Sequence, residues 1–376
     1  MITRLYAHNY RCFLNFELRL GSDSTFLLIG RNGAGKSTVR KVLEILQAVA
    51  RGENRVGSLV KLRDFPRTSN GMPPSSGETE RMRFEIECDI ESQSFRYALV
   101  LELPPDFYEL RVAEESLHVD NKVVYSRELA QVFMPKHFDE VEARFRVDWH
   151  LIALPIVQER SEADPLFKFK RFLRSLIVLA PLPSLIEGES KGDTLQPMLT
   201  GENFAAWFTG LLALSPAAYT SVDTYMRAIF PDFQDVQNPL IGPDARSMTV
   251  RFAANGKTLS LPFGDLSDGE KCYLLSAMVL ASLRTYGPSL CFWDEPDNHL
   301  ALSEIGHFIM ELRRLPTGSQ FIATSHHPET IRRFSDENTL LLHRASHLEP
   351  TQVRPVAELG IKGDLVDALI RGDELP

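Results

Sequence analysis

The sequence predicts an α/β fold with a parallel sheet, and two patterns support this prediction. The apolar run Thr25–Ile29 leads into a glycine-rich loop and then into residues 38–50, whose apolar positions recur at helical spacing. In the last third of the chain, short apolar runs at residues 290–293 and Gln320–Thr324 alternate with helical segments. Strands that alternate with helices in this way are typical of a parallel sheet.

Length and composition are those of a globular protein of about two domains. The 376 residues are 44% hydrophobic and 24% charged, and the longest apolar stretches are too short to cross a bilayer. The first residues show no apolar core of a secretory signal, so we expect a cytoplasmic protein without a membrane segment. The four cysteines form no CxxC pair and are expected to be reduced, mostly buried thiols.

The net charge of −9 hides a gradient along the chain. Residues 1–67 contain 12 Lys and Arg against 5 Asp and Glu, so the excess of acidic residues lies in the remainder. This distribution allows one local basic face but excludes a protein that is basic all over.

The remaining segments predict an antiparallel subdomain and a helical insertion. We assign residues 1–63 and 248–345 to the core, 82–126 to an antiparallel β-subdomain, 127–247 to a mostly helical lobe and 346–376 to a tail. Residues 64–80, rich in Pro, Ser, Thr and Gly, predict an exposed loop. Further strands are expected at residues 2–8, 13–20, 82–90, 95–103, 112–119, 123–125, 248–252 and 258–261, and helices from residue 267 and at 303–314.

The glycine-rich loop matches the pattern G-x-x-x-x-G-K-[ST] between a strand and a helix. Glycines let successive backbone N–H groups turn toward an anion, and the helix N-terminus adds its positive dipole end. Lys36 is expected to reach the β- and γ-phosphates of ATP, and Ser37 to bind Mg²⁺. The predicted nucleotide-binding residues of the loop are Gly30, Arg31, Asn32, Gly33, Ala34, Gly35, Lys36, Ser37 and Thr38.

Two later strands end in chemically active side chains. Asp294 and Glu295 follow residues 290–293, where Asp294 can bind Mg²⁺ through water and Glu295 can polarise the attacking water. His326, after the strand Gln320–Thr324, can donate to the γ-phosphate. An acidic pair at a strand end can also be a solvated turn, and a histidine there can be structural, as its neighbour His327 can.

Four segments in this order, GRNGAGKS, LSDGEK, WDEP and TSHHP, resemble the ABC-type ATPase heads of SMC and RecF proteins and of OLD-like defence ATPases. The opening Asn9–Phe13 segment, NYRCF, resembles the start of many such heads. The resemblance implies a P-loop NTPase with a mixed sheet, and a homodimer in which Ser267 and Gly269 of one copy cap ATP bound to the other. Ser267 and Glu270 also have the spacing of a helix capping box.

Three features depart from the pattern of this family. Asp268 replaces the first signature glycine, and Ala301 stands where transporters have the aspartate that ends the D-loop. Neither Gln93, in a predicted hairpin, nor Gln158, in the inserted lobe, is a convincing Q-loop glutamine.

The resemblance implies an ATPase that dimerises around ATP and acts on an effector or on DNA, with anti-phage defence as the first expectation. Because few residues follow His326, a nuclease or toxin is expected from another protein. The alternative is a RecF-like, DNA-binding repair ATPase. DNA could contact the basic stretch Arg51, Arg55, Lys61, Arg63 and Arg67, which could equally be a solvated loop. A second cluster, Lys168, Lys170, Arg171 and Arg174, is more typical of a helix surface.

Overall fold

The computed structural model describes residues 1–66, 80–105, 107–136, 142–286, 289–360 and 365–367. Most of the predicted 64–80 loop, the cation Arg67 and much of the predicted tail lie outside these residues. The chain forms two compact units. The first comprises residues 1–23, 30–176 and 341–354, and the second comprises residues 24–29, 177–340 and the described part of 355–376.

The strands and helices follow one another along the chain. The strands are β1 (Ile2–His8), β2 (Phe16–Arg19), β3 (Thr25–Ile29), β4 (Glu80–Ile90), β5 (Gln93–Leu103), β6 (Arg111–Val119), β7 (Lys122–Glu128), β8 (Gln131–Met134), β9 (Ala143–Arg146), β10 (Ile177–Leu179), β11 (Glu189–Lys191), β12 (Phe233–Gln237), β13 (Ala245–Ser247), β14 (Thr249–Ala254), β15 (Lys257–Pro262), β16 (Leu290–Asp294), β17 (Gln320–Thr324), β18 (Thr339–His343) and β19 (Gln352–Pro355). The α-helices are α1 (Lys36–Ala50), α2 (Val56–Leu59), α3 (Pro165–Arg174), α4 (Phe204–Leu214), α5 (Ala218–Ile229), α6 (Asp268–Thr285), α7 (Leu302–Leu312) and α8 (Pro328–Arg333).

The first unit is organised around an antiparallel sheet of order β2-β1-β4-β5-β6-β7-β8-β9. The predicted hairpin of β4 and β5 is formed over its whole length, from Glu80 opposite Leu103 to Ile90 opposite Gln93. The residues at even positions from 82 to 90 of β4 are buried because one face of the sheet packs on the core, whereas residues 97–102 of β5 are buried on both faces. The helices α1 and α3 belong to the same unit.

The second unit contains the predicted parallel strands, in the order β10-β16-β17-β3. β3 and β17 are buried at every residue, as expected for strands covered on both faces. Parallel strands have their carboxyl ends at the same edge, so the chain leaves β16 and β17 side by side. The buried helix α6 begins after Ser267, and its predicted capping box is present.

Residues 127–247, predicted to be mostly helical, are not mostly helical. This region also contains β8 to β13, and β10 joins the parallel sheet beside β16. Three apolar residues, Ile177–Leu179, form β10, and a run this short does not distinguish strand from helix by periodicity. The second strand also starts later than predicted, at Phe16, because the preceding residues form a tight bridge between Tyr10 and Phe13.

The cysteines are free thiols, as predicted, and three of them are buried. Burial raises the pKa of the Cys272 thiol to about 12, and raises those of Cys88 and Cys291 as well. Thiolate is the reactive form of cysteine, so these three side chains act as core residues.

Candidate functional site

The phosphate loop, residues 30–37, lies in the first unit and leads into α1. Gly35 precedes the helix with a φ of 105°, in the left-handed region that favours glycine. Gly30 has a φ of 146°, and a Cβ atom built on it would lie 2.2 Å from the carbonyl oxygen of Leu342. Both glycines are therefore required by the path of the backbone. The first turn of α1 has no acidic residue, which leaves its N-terminus suited to an anion.

Lys36 is folded back over this loop. Its side chain is nearly buried, with 6% exposure, and its Nζ donates to the carbonyl oxygen of Gly30 at 2.8 Å. The ammonium group is thus held inside the loop, where phosphate oxygens can compete for it. Arg31, Asn32, Gly33 and Ser37 are exposed, whereas Ala34 is buried.

A cavity of about 630 Å³ opens beside the phosphate loop within the first unit. Gly33 and Thr38 line it on the loop side, and residues 11–14, 63–66 and 344–350 form the other walls. The Thr38 Oγ1 lies 3.6 Å from the Cys12 Sγ. Since these walls come from three distant segments, no local motif predicts the cavity.

One wall of the cavity is fixed by an ion pair between the exposed Arg11 and the buried Asp64. Arg11 Nη2 lies 2.7 Å from Asp64 Oδ1, and the Arg11 N–H donates to the Asp64 carbonyl oxygen. Asp64 is 5% exposed, and Arg11 has a φ of 53°, unusual for a residue with a side chain. Strained backbone of this kind persists where its surroundings hold it, often at ligand sites. Burial also raises the pKa of the neighbouring Tyr10 to about 12.

In the second unit, Asp294 and Glu295 lie where β16 ends, and Asp294 is opposite Thr324 of β17. The Thr324 hydroxyl donates to Asp294 Oδ1 at 2.6 Å and accepts the Glu295 N–H at 3.0 Å. Glu295 has a φ of 55°, in the left-handed region. Thr324 thus orients the Asp294 carboxylate and also holds the strained turn that carries Glu295.

The Glu295 carboxylate is held from both sides. Asn298 Nδ2 donates to its Oε2 at 2.6 Å, and His326 Nε2 lies 3.3 Å from its Oε1. Both side chains remain partly exposed, at 33% for Glu295 and 41% for His326. The structure therefore brings two of the predicted catalytic residues together, in an arrangement where a carboxylate can take a proton and an imidazole can share it.

The neighbouring histidine, His327, has a structural role. It precedes α8 and its Nδ1 accepts the N–H of Glu329 at 3.2 Å, so it caps that helix. The two adjacent histidines therefore differ in role, because His327 caps α8 whereas His326 faces Glu295.

Asp297 is a residue that the sequence reasoning missed. Its carboxylate is 5% exposed and accepts hydrogen bonds from the hydroxyls of Ser325 and Thr330. The Ser325 hydroxyl also accepts the N–H of His327 at 2.9 Å. Asp297 therefore fixes the segment after β16 to the segment after β17, which carry Glu295 and His326. The signal in the sequence was a third acidic residue, Asp297, two positions after Glu295.

The predicted signature residues lie at the start of α6. Ser267 Oγ accepts the N–H of Glu270 at 3.3 Å, and the Glu270 carboxylate accepts the N–H of Ser267 at 2.8 Å. A Cβ atom on Gly269 would lie 3.0 Å from the carbonyl oxygen of His299, so the glycine permits a close approach. The predicted capping box between Ser267 and Glu270 is therefore confirmed, and the Ser267 hydroxyl also donates to the Glu270 carboxylate at 2.7 Å.

No glutamine follows the strand beside β16. Leu179 of β10 pairs with Trp293, and the chain continues through Ala180 and Pro181. Gln93 starts β5 in the other unit, and Gln158 lies in a loop. Neither candidate is placed at this strand end.

The second basic cluster is paired with acids. Lys168 and Arg171 both contact Glu91, and Lys170, 1% exposed, lies 2.9 Å from Glu159. Arg174 Nη2 lies 3.9 Å from Glu159. In the first cluster, Arg55 faces Glu109, Arg51 donates to the Arg174 carbonyl and Lys61 to that of Gly57. The acidic partners of the second cluster favour its interpretation as a helix surface.

None of the described helices has the length and apolar character needed to span a bilayer.

Known proteins resemble this chain in sequence. The profile of the family described as "AAA domain, putative AbiEii toxin, Type IV TA system" matches residues 26–332. The mouse protein "ATP-binding cassette sub-family F member 2" is 27% identical over 113 residues, which are 30% of this chain and 16% of that protein. The chain thus spans about a sixth of that relative.

Two solved structures share the fold. One is an Smc head bound to the C-terminal winged-helix domain of ScpA, with 14% identity over 94% of this chain and 97% of that chain and a TM-score of 0.54. The other is an Smc head with an extended coiled coil bound to the C-terminal domain of ScpA derived from Pyrococcus furiosus, with 12% identity, coverages of 95% and 97% and a TM-score of 0.52. The predicted α/β P-loop ATPase fold of the SMC-head type is confirmed.

Proposed function

The chain belongs to this family of AAA domains, and from that premise we propose that it binds ATP and Mg²⁺ and hydrolyses ATP between two copies of itself. The observation that carries the proposal is the geometry around Glu295. Its carboxylate is held by Asn298 and faces His326, on a turn fixed by Thr324. A carboxylate held in this way at the end of a parallel strand is suited to act as a general base.

The phosphate loop supplies the binding energy for the triphosphate. Backbone N–H groups of the loop and the N-terminus of α1 bind phosphate oxygens. The Lys36 ammonium group then donates to phosphate oxygens in place of the Gly30 carbonyl oxygen. The Ser37 hydroxyl and the Asp294 carboxylate are oxygen donors of the kind that Mg²⁺ takes together with phosphates. Mg²⁺ held by these oxygens would neutralise charge that develops on the phosphates.

Glu295 then takes a proton from water as the water oxygen attacks the γ-phosphorus. The bond from the γ-phosphorus to the oxygen bridging the β- and γ-phosphates breaks, and ADP leaves with the electron pair. His326, which lies 3.3 Å from Glu295, orients that carboxylate and donates a hydrogen bond to the transferred phosphoryl group.

A second copy completes the site by presenting Ser267 and Gly269 to the γ-phosphate. The start of α6 provides backbone N–H groups and a positive dipole end. To receive the phosphate, the Ser267 hydroxyl must leave the Glu270 carboxylate, which lies 2.7 Å away. In the dimer, the γ-phosphate of ATP replaces the Glu270 carboxylate as the acceptor of the Ser267 hydroxyl. Because this second acceptor is supplied by ATP, dimerisation depends on the nucleotide.

We further propose that the ATP-bound dimer acts on a partner protein in anti-phage defence. The family description couples this AAA domain to a toxin of a toxin–antitoxin system, and the two similar Smc heads are bound to domains of ScpA. An effector, a nuclease or a toxin, would then be a separate chain. The paired cations of α3 give less support to the alternative of a RecF-like, DNA-binding repair ATPase. Strong stimulation of ATP hydrolysis by duplex DNA would reverse that preference.

The experiment that tests nucleotide binding compares two lysines of α1. Lys36→Ala removes the ammonium group from the phosphate loop, whereas Lys41→Ala changes a second lysine further along the same helix. We expect Lys36→Ala to lose ATP binding in isothermal titration calorimetry and Lys41→Ala to retain it. Equal affinity of the Lys36→Ala variant and the unaltered protein would refute the assignment of the phosphate loop.

A further inference from the structure

The loop between β18 and β19, residues 344–350, forms one wall of the cavity beside the phosphate loop. The Arg344 guanidinium donates to the backbone carbonyl oxygens of His347 and Glu349, so the side chain closes the loop on itself. The end of the loop is tied to the opposite wall, where the Thr351 N–H donates to the Cys12 carbonyl oxygen at 3.0 Å. The loop therefore has a defined shape built from its own polar contacts.

This defined loop presents apolar and aromatic surface to the solvent side of the cavity. Leu348 is 80% exposed, and His347 is exposed beside it. Across the cavity, Leu14 is also exposed, at 45%. A loop that is held in place while it exposes a leucine and an aromatic ring is typical of a surface that covers a ligand.

His347 lies close to the phosphate loop itself. Its Nε2 is 3.5 Å from the position that a Cβ atom on Gly33 would take. A second contact point lies at Thr351, whose hydroxyl is buried without a hydrogen-bond partner among the described residues. That hydroxyl is 3.0 Å from the position of a Cβ atom on Gly35. An unpaired buried hydroxyl is costly, so its position beside the phosphate loop calls for a polar partner.

We propose that residues 344–350 clamp the nucleoside of the bound nucleotide, with the His347 ring stacked on the base and Leu348 covering it. The inference rests on the proposed function, because it requires that the phosphates occupy residues 30–38. The cavity begins at Gly33 and Thr38, so a nucleotide held by its phosphates there directs its sugar and base between the two walls. A flat aromatic base matches the imidazole on one side and Leu14 on the other.

The proposed clamp binds any nucleotide base and does not discriminate between one base and another. Every base has an aromatic face, and stacking on a side chain is tolerant of sequence. ATP and GTP are therefore expected to bind with similar affinity at this wall, and both are expected to weaken when the ring is removed.

The test compares a nucleotide with its phosphate chain alone. Binding of the non-hydrolysable ATP analogue AMP-PNP and of inorganic tripolyphosphate is measured by calorimetry for the unaltered chain, His347→Ala and His347→Phe. We expect His347→Ala to weaken AMP-PNP binding by about 5- to 150-fold, the usual range for loss of a stacked ring, and to leave tripolyphosphate binding unchanged. His347→Phe restores the stacking and is expected to restore AMP-PNP binding.

A matched control is His150→Ala, which removes a histidine of the same unit that does not line the cavity. Unchanged AMP-PNP binding in His347→Ala, or an equal loss for AMP-PNP and tripolyphosphate, would overturn the clamp. Those results leave the proposed ATPase intact. Failure of the unaltered chain to bind AMP-PNP would instead refute the proposed function, and the clamp with it.

Discussion

Replacement of Asp297 is expected to destabilise the second unit and to uncouple its two strand ends. The carboxylate is 5% exposed and accepts the hydroxyls of Ser325 and Thr330. A hydrogen bond to a charged acceptor contributes about 1.5–3 kcal/mol, and an unpaired buried hydroxyl is costly. Asp297→Ala is therefore expected to lower the free energy of unfolding by about 3–5 kcal/mol.

A double-mutant cycle isolates one of these contacts. Thr330→Val keeps the shape of the side chain and removes its hydroxyl, so Asp297→Ala, Thr330→Val and the double variant are compared by urea denaturation. If the two groups interact as the structure shows, their effects are less than additive by about 1–3 kcal/mol. Asp223→Ala, which removes a partly exposed carboxylate paired with Arg227, serves as the control and is expected to change stability by about 0.5 kcal/mol or less. Additive effects of Asp297→Ala and Thr330→Val would show that this hydrogen bond does not join the two segments.

Two further predictions concern the helices of the second unit and a glycine of the first. A Cβ atom on Gly210 of α4 would lie 2.2 Å from the Thr194 carbonyl oxygen, whereas one on Gly57 of α2 meets nothing within 4 Å. In thermal unfolding, Gly210→Ala is expected to lower the free energy of unfolding by about 1–3 kcal/mol, and Gly57→Ala to raise it by about 0.5 kcal/mol. A Gly210→Ala variant of unchanged stability would contradict the packing of α4. Burial lowers the pKa of His307, whose Nδ1 lies 2.6 Å from the Tyr273 hydroxyl. The unfolded chain then binds the proton more readily than the folded chain, so stability is retained above about pH 6.5 and falls as the pH decreases toward the lowered pKa. The free energy of unfolding of the His307→Gln variant should depend less on pH between pH 7 and 5.

The sequence was most informative where function requires a local pattern. The phosphate loop, the ends of β16 and β17 and the capping box at Ser267 each occupy a few adjacent residues, and the structure places each on the expected element. Backbone geometry at these places depends on neighbours in the chain, so a motif is sufficient to predict it.

Features built from distant segments could not be predicted in this way. The Asp297 network joins two strand ends that are about 30 residues apart, and the His347 loop reaches the phosphate loop from the far end of the chain. The strand β10 was missed for a related reason, because its three apolar residues become a strand only by pairing with β16.

The most direct test of the ATP-dependent dimer is the mass of the Glu295→Gln variant in the presence of ATP and Mg²⁺. Glutamine keeps the shape of the side chain but cannot take the proton from water, so ATP remains bound. Light scattering coupled to size-exclusion chromatography should then report a dimer for Glu295→Gln, and a monomer when Ser267→Arg is added to block the second copy. A Glu295→Gln variant that turns ATP over at the normal rate, or stays monomeric while saturated with ATP, would contradict the account.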